Sequence, residues 1–285
     1  MGDYLLALLL GVVEGLTEFL PVSSTAHLRI VEALLGLELA DPYWKTFSII
    51  IQLGAILCLP IYFRHRIAAF VRTFPHGSRG DRTVANHPLT LTAVAFVATA
   101  VPAFLLTKVI GKHLESLRVM GLSLVIGGAV MWAVDAMYAN RKKSVEDMER
   151  MSLPQAVWIG LCQVLSAVFP GTSRSMATIT AGMLSGMSRP AALEFSFFVS
   201  MPTMVAATLY ELLRALRPHG GAPGAIGIMP HTAHAWMVLA VGFVVSFVVA
   251  YGVVAWFMAW VRTRGFTIFA VYRLVVGAAV LWWAR

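Results

Sequence analysis

Glu14-Gly15-Leu16-Thr17-Glu18-Phe19-Leu20-Pro21-Val22-Ser23-Ser24-Thr25-Ala26-His27 lies inside an apolar stretch running from about residue 4 to residue 37. Carboxylates four residues apart share one face of a helix. In apolar surroundings both are costly, and an intramembrane carboxylate marks a functional candidate. The two also repel each other unless a cation or a shared proton relieves them. Pro21 interrupts the helix, and proline suits the first turn of a new one, so Ser23, Ser24 and Thr25 fall at or near a helix N-terminus. The stretch is too long for one span and too polar at its middle for lipid. It reads as a broken helical hairpin.

A second stretch of the same kind covers about 153–188 and breaks at Pro170-Gly171-Thr172-Ser173-Arg174-Ser175. With Gly11 aligned to Gly160 and Pro21 to Pro170, Glu14 meets Gln163, Ser23 meets Thr172 and Ser24 meets Ser173. Apolar runs near 45–63, 91–110, 117–138, 192–212, 236–260 and 267–284 approach or exceed the roughly 20 residues that a helix needs to cross the bilayer. The expected fold is therefore all-α and integral to the membrane, with about six transmembrane helices plus two broken re-entrant hairpins in one domain. Three spans separate the hairpins, so the second unit (about 153–285) is inserted upside down relative to the first (about 1–138). That is the inverted-repeat logic in which the breaks meet near the midplane.

Composition agrees: 59% of the 285 residues are hydrophobic and 13% charged, against roughly 45–50% and about 25% in soluble domains. The net charge of +8 does not point to nucleic acid, because the cations sit in short loops where they meet anionic lipid headgroups. The start lacks a basic region and a cleavage site, so no removable signal peptide is expected. Cys58 and Cys162 lie in apolar stretches and form neither a disulfide framework nor a metal set. Loops at 64–88, 139–152 and 261–265 hold eleven cations, whereas those at 111–116 and 213–235 hold only Lys112, Arg214 and Arg217. The rich side should be cytoplasmic, which turns the first hairpin and its chemistry outward.

The chemistry follows from residue types. His27 lies three residues beyond Ser24 and can share its face, and a hydroxyl beside an imidazole with carboxylates nearby suits an activated nucleophile or acid/base transfer. At the second break, free backbone N–H groups, the positive end of the dipole and the Arg174 fork make an anion site suited to phosphate. Thr178, four residues on, can face the same way. Gln52 and Ser200 read as hydrogen bonds between helices. Asp135 and Arg273 read as groups near span ends, served by snorkelling or a loop partner.

The two breaks resemble the signature motifs of bacterial undecaprenyl-diphosphate phosphatases, the bacitracin-resistance family. Gln52-Leu53-Gly54-Ala55 and Tyr272-Arg273 are similar to further family positions, and length and repeat agree over the whole chain. Ala26 stands where glycine is common. The resemblance implies hydrolysis of undecaprenyl diphosphate to the monophosphate and inorganic phosphate on the outer side of the cytoplasmic membrane, recycling the lipid carrier of cell-wall synthesis. It also implies a divalent cation, magnesium or calcium, for which Glu14 and Glu18 are the candidate ligands. Glu14, Glu18, Ser24, His27, Ser173, Arg174 and Thr178 fall on the family's functional positions. Ser23, Thr25, Gly171 and Thr172 join them as backbone and hydroxyl contacts to phosphate.

Two designs fit the first break: Ser24 attacks after His27 or a carboxylate takes its proton, or His27 attacks directly. Ser24 is the expected nucleophile, because it lies nearer the helix start. The rival function is a flippase, in which Arg174 binds a lipid phosphate and the carboxylates carry protons; it has no need of the Ser24/His27 pair. A homodimer is compatible with either reading. In a background without Cys58 and Cys162, single cysteines at Ser78 and Ser144 should resist an impermeant thiol reagent in intact cells, and one at Gly221 should react. Reversed labelling would overturn the orientation.

Overall fold

The structure, a computed structural model, describes residues 2–37, 41–107, 116–138, 145–216 and 232–284. Regular structure there is helical: α1 (Asp3–Thr17), α2 (Ser24–Leu34), α3 (Pro42–Tyr62), α4 (Arg64–Thr73), α5 (Pro88–Leu105), α6 (Leu117–Tyr138), α7 (Leu153–Val168), α8 (Arg174–Leu184), α9 (Arg189–Leu216), α10 (Ala233–Trp260) and α11 (Thr267–Trp283). The protein is an all-α integral membrane protein. Among the described residues, five helices are long and apolar enough to cross a bilayer: Tyr43–Tyr62, Pro88–Leu105, Leu117–Tyr138, Arg189–Leu213 and Ala233–Trp260. The sixth expected span, α11, has 17 residues, about 26 Å at 1.5 Å per residue. That falls just short of the hydrocarbon thickness.

Each expected hairpin is a pair of shorter helices, α1 with α2 and α7 with α8. At 15, 11, 16 and 11 residues, none covers the roughly 30 Å of hydrocarbon alone. The breaks owe their shape to two serines. Ser23 (φ 76°) and Ser173 (φ 71°) both adopt the left-handed region, which side chains other than glycine seldom occupy. Each then caps the helix that follows, Ser23 Oγ accepting from Ala26 N and Ser173 Oγ from Met176 N. Equivalence of these caps corrects the alignment by one residue. Ser23, not Ser24, is the counterpart of Ser173, because the second break holds one more residue after its proline. Ser24 and Arg174 thus open their helices at equivalent positions.

The two halves are interleaved. α1 packs on α10, and α7 packs on α5, so the first arm of each hairpin lies against a long helix of the other half. The approach is close at the two glycines that align across the halves. A Cβ on Gly11 would lie 2.7 Å from Gly242 O of α10, and one on Gly160 would collide with Ala95 O of α5. α6 and α11 close the arrangement, with a Cβ on Gly277 falling 2.9 Å from Gly121 O.

The 64–88 segment, expected as a loop, contains α4, whose Arg66 donates to Glu194, Asp147 and Glu149. From there an aromatic cluster runs inward: Phe70 meets Phe198 at 5.5 Å, Phe198 meets Phe63 at 5.3 Å, Phe63 meets Phe197 at 6.2 Å, and Phe197 meets Phe19 at 5.4 Å. Phe19 lies directly beneath the first break. Most of the cation-poor loops, and Arg141, Lys142 and Lys143, lie outside the described residues. Ser200 bonds within its own helix, to Phe197 O at 2.7 Å, not across helices as expected. Asp135 does find its loop partners, accepting from Arg189, Phe266 N and Thr267.

Gly160→Ala should destabilise the protein by about 1–3 kcal/mol through overpacking, seen as a lower melting temperature in detergent. An unchanged melt would mean that α7 and α5 stand further apart than described.

Candidate active site

The site lies where the two breaks meet, and its polar groups form a continuous chain. Ser24, at the start of α2, donates to Glu18 Oε2 at 2.6 Å. Arg174, at the start of α8, donates through Nη2 to Glu18 Oε1 at 3.1 Å. Glu18 therefore bridges the first residues of two helices and brings both N-termini to one place, with their unpaired N–H groups and positive dipole ends. Glu14, one turn earlier on α1, is fully buried, and neither of its oxygens has a hydrogen-bond partner among the described residues. The same holds for Nε and Nη1 of Arg174. Native proteins seldom leave such groups unpaired. Here two carboxylate oxygens and two guanidinium nitrogens stand ready for a ligand that both accepts hydrogen bonds and brings positive charge.

His27 is placed differently from the expectation. Its Nδ1 lies 2.7 Å from Ser23 O, and a carbonyl only accepts, so Nδ1 carries the proton. In the neutral ring Nε2 then accepts from the Tyr272 hydroxyl at 2.8 Å, and the two rings stack with centroids 5.6 Å apart. Both nitrogens are occupied and neither touches Ser24. What His27 holds is the carbonyl of Ser23, the strained residue that turns the chain into α2. The base within reach of Ser24 is Glu18.

The second break is braced in the same manner. Ser175 donates to Leu20 O at 2.9 Å, so its single proton is spent, and Ser173 donates to Ser175 Oγ at 3.0 Å. Thr178 does not face the site: it is fully buried, lies 2.9 Å from Arg174 O and 2.6 Å from Ser196 of α9, and fixes α8 against α9. Thr172 is half-buried with its N–H on Phe169 O. Thr25 is exposed on the outer strip of α2. Gly171 adopts φ 94°, and a Cβ there would lie 2.6 Å from Met120 O of α6, so only glycine fits.

Arg273 is the residue that sequence patterning misplaces. It is fully buried, not near a span end, and donates from Nη1 to Pro21 O at 3.1 Å and from Nη2 to Ser123 O and Gly171 O, both at 3.0 Å. One side chain of α11 thus holds both breaks and α6. Its position in the chain was a signal, since residue 273 is the seventh of seventeen in an apolar helix. Gly127 was another, because a Cβ there would collide with the guanidinium. Tyr272, beside it, supplies the partner of His27.

This arrangement joins a hydroxyl, a carboxylate and a guanidinium where two helices start, and comparison with known proteins assigns the family. The family described as bacitracin resistance protein BacA matches residues 7–279, and the chain belongs to it. An undecaprenyl-diphosphatase of Koribacter versatilis is 69% identical over 284 residues, covering 100% of this chain and 99% of that protein. Undecaprenyl-diphosphatase of Thermus thermophilus is 42% identical, covering 95% and 94%. One from Caldanaerobacter subterraneus subsp. tengcongensis is 38% identical, covering 96% and 94%.

Arg273→Lys keeps the charge but cannot serve three carbonyls from one planar group. It should lower the melting temperature and strip most of the phosphatase activity together, whereas full activity would mean that the breaks hold their shape without it.

Proposed function

We propose that this chain hydrolyses undecaprenyl diphosphate to undecaprenyl phosphate and inorganic phosphate, as the names of its relatives state of them. The observation that carries the mechanism is the Ser24–Glu18–Arg174 chain at the junction of two helix N-termini. The terminal phosphoryl group binds there, within reach of the N–H groups of Arg174 that lack partners. Glu18 takes the proton of Ser24, whose Oγ attacks phosphorus in line with the bridging oxygen. The P–O bond to the lipid phosphate breaks and undecaprenyl phosphate leaves. Water then cleaves the phosphoserine and frees inorganic phosphate. As charge develops on the transferring group, the preorganised N–H groups and Arg174 stabilise it. His27 acts on Ser23, holding the turn that aims Ser24.

A divalent cation, magnesium or calcium, fits the donor set. A diphosphate brings more negative charge than Arg174 and Arg273 can offset, which is costly in a buried site. Both oxygens of Glu14 lack partners and would hold such an ion with phosphate oxygens, Glu18 lying beside them. Bound there, it would neutralise phosphate charge as a Lewis acid. Among the described residues no group of three or more His, Cys, Asp or Glu forms a protein-only metal cage, which accords with an ion that arrives with its substrate.

The proposal places the protein in the bacterial cytoplasmic membrane with the site open to the outside, as one domain of two inverted units, about 1–138 and about 153–285. Loop charge supports the orientation. So does the aromatic cluster from Phe19 to Phe70, which fills the path between the breaks and the cation-rich end. The interleaved contacts of α1 with α10 and α7 with α5 support the duplication.

Ser24→Ala should abolish phosphate release from a prenyl diphosphate while binding stays measurable, and Arg174→Lys should reduce turnover severely with the fold intact. Rapid acid quench of the wild type should trap an acid-stable phosphoserine, and chelator should suppress turnover. An acid-labile phosphoenzyme, or near-normal turnover of Ser24→Ala, would give the nucleophile's role to His27.

A further inference from the structure

His27 sits four residues past Ser23 and gives Ser23 O two bonds, one from its backbone N–H at 3.2 Å and one from its ring Nδ1 at 2.7 Å. Its counterpart four residues past Ser173 is Ala177, and among the described residues Ser173 O keeps only the backbone bond, at 3.0 Å. In other respects that shape the turn the two breaks are alike. Each holds a left-handed serine, φ 76° and 71°, that caps the helix after it. Arg273 donates to the carbonyl two residues before each serine, Pro21 O in one break and Gly171 O in the other. A serine in this strained region therefore persists without an imidazole beside it, and the turn alone does not call for His27. What differs between the breaks is the residue that opens the helix: Ser24 in the first, donating to Glu18 at 2.6 Å, and Arg174 in the second.

The tie on the first break goes one step further. Tyr272 of α11 donates its hydroxyl proton to His27 Nε2 at 2.8 Å, and the two rings stack with planes 11° apart. That bond fixes which nitrogen carries the proton: with Nε2 accepting, Nδ1 donates to Ser23 O. Without the phenol, Nε2 would be a buried acceptor lacking a donor, and the other tautomer, which withdraws the donor from Ser23 O, would gain. Tyr272 is 44% exposed, so its ring is not there to fill the core. Tyr272 and Arg273, adjacent on α11, thus reach one turn at two carbonyls, Ser23 O through His27 and Pro21 O directly.

We propose that Tyr272 is a positioning residue for the hydrolysis: acting through His27, it fixes the Ser23 carbonyl and so holds Ser24 Oγ on its line of attack. The role rests on the phosphatase reading of the site, with Ser24 as nucleophile. A loose turn would let the first residue of α2 swing, and a displacement of about 1 Å at an attacking atom can cost about a hundredfold. The second break has less need of such aim, because a guanidinium offers several N–H groups where a hydroxyl offers one attacking oxygen.

The test follows phosphate release from a prenyl diphosphate by the full-length protein in detergent, together with its melting temperature. Tyr272→Phe keeps the ring and removes only the hydroxyl; kcat should fall by about five- to tenfold, the weight of one lost hydrogen bond, with KM and the melting temperature near wild type. Loss confined to kcat marks an interaction that acts in the transition state. His27→Asn sets an amide N–H where Nδ1–H stands and should keep more turnover than His27→Gln, whose amide reaches the Nε2 side. In the His27→Asn background Tyr272→Phe should cost nothing more, as coupling through the ring requires. Wild-type kcat in Tyr272→Phe overturns the role, and so does a kcat loss that repeats in full on the His27→Asn background. Equal losses in His27→Asn and His27→Gln overturn it too and return His27 to the chemistry itself. Should Tyr272→Phe fail to fold, the two His27 variants decide alone. Wild-type protein that releases no phosphate overturns the phosphatase reading, and this role with it.

Discussion

Backbone carbonyls freed inside a bilayer must find donors within the protein, because no water or lipid tail supplies them. Breaking two helices side by side creates that problem twice, and Arg273 answers it for both. Its guanidinium donates to Pro21 O and Gly171 O while holding Ser123 O of α6. Planarity matters here, since a rigid fork reaches acceptors from separate elements at once. The left-handed serines, the convergent N-termini and the Glu18 bridge are all placed relative to this one buried cation.

The two halves of the proposed duplication contribute unequally to the site. Ser24 and Arg174 occupy the same position after equivalent caps, yet one carries a hydroxyl and the other a guanidinium. Glu14 stands opposite Gln163, so the carboxylates belong to one half alone. A neutral amide there, donating to Thr203 at 3.1 Å, braces helices without adding charge. In the proposed duplication, repetition brings two helix starts together, and divergence at a few positions leaves the hydroxyl and carboxylates in one hairpin and the guanidinium in the other.

Unpaired atoms on Glu14 and Arg174 are a cost carried without a ligand, and in the proposed reaction a diphosphate with its cation relieves both. Aromatic packing beneath Phe19 keeps the polar junction from continuing to the opposite face, which suits hydrolysis at one surface better than passage through the bilayer.

The class, the two hairpins and most of the polar set were legible in the order of residues, because apolar length, proline breaks and intramembrane carboxylates each carry a large free-energy penalty that only a few structures relieve. Glu14, Glu18, Ser24 and Arg174 stood out for that reason. What each one touches came from tertiary packing alone. Spacing put His27 on the face of Ser24, but both ring nitrogens turn to Ser23 and Tyr272, a partner 245 residues away. Thr178 could have faced the phosphate and instead bonds Ser196. Arg273 looked like a group near a span end until its three carbonyls, drawn from residues 21, 123 and 171, surrounded it. The one-residue slip between the breaks was equally hidden, since it depends on which serine takes a positive φ. Helical periodicity reports which residues share a face; which face meets which neighbour is set by packing between segments distant in sequence, where hydrogen-bond partners are chosen by three-dimensional distance.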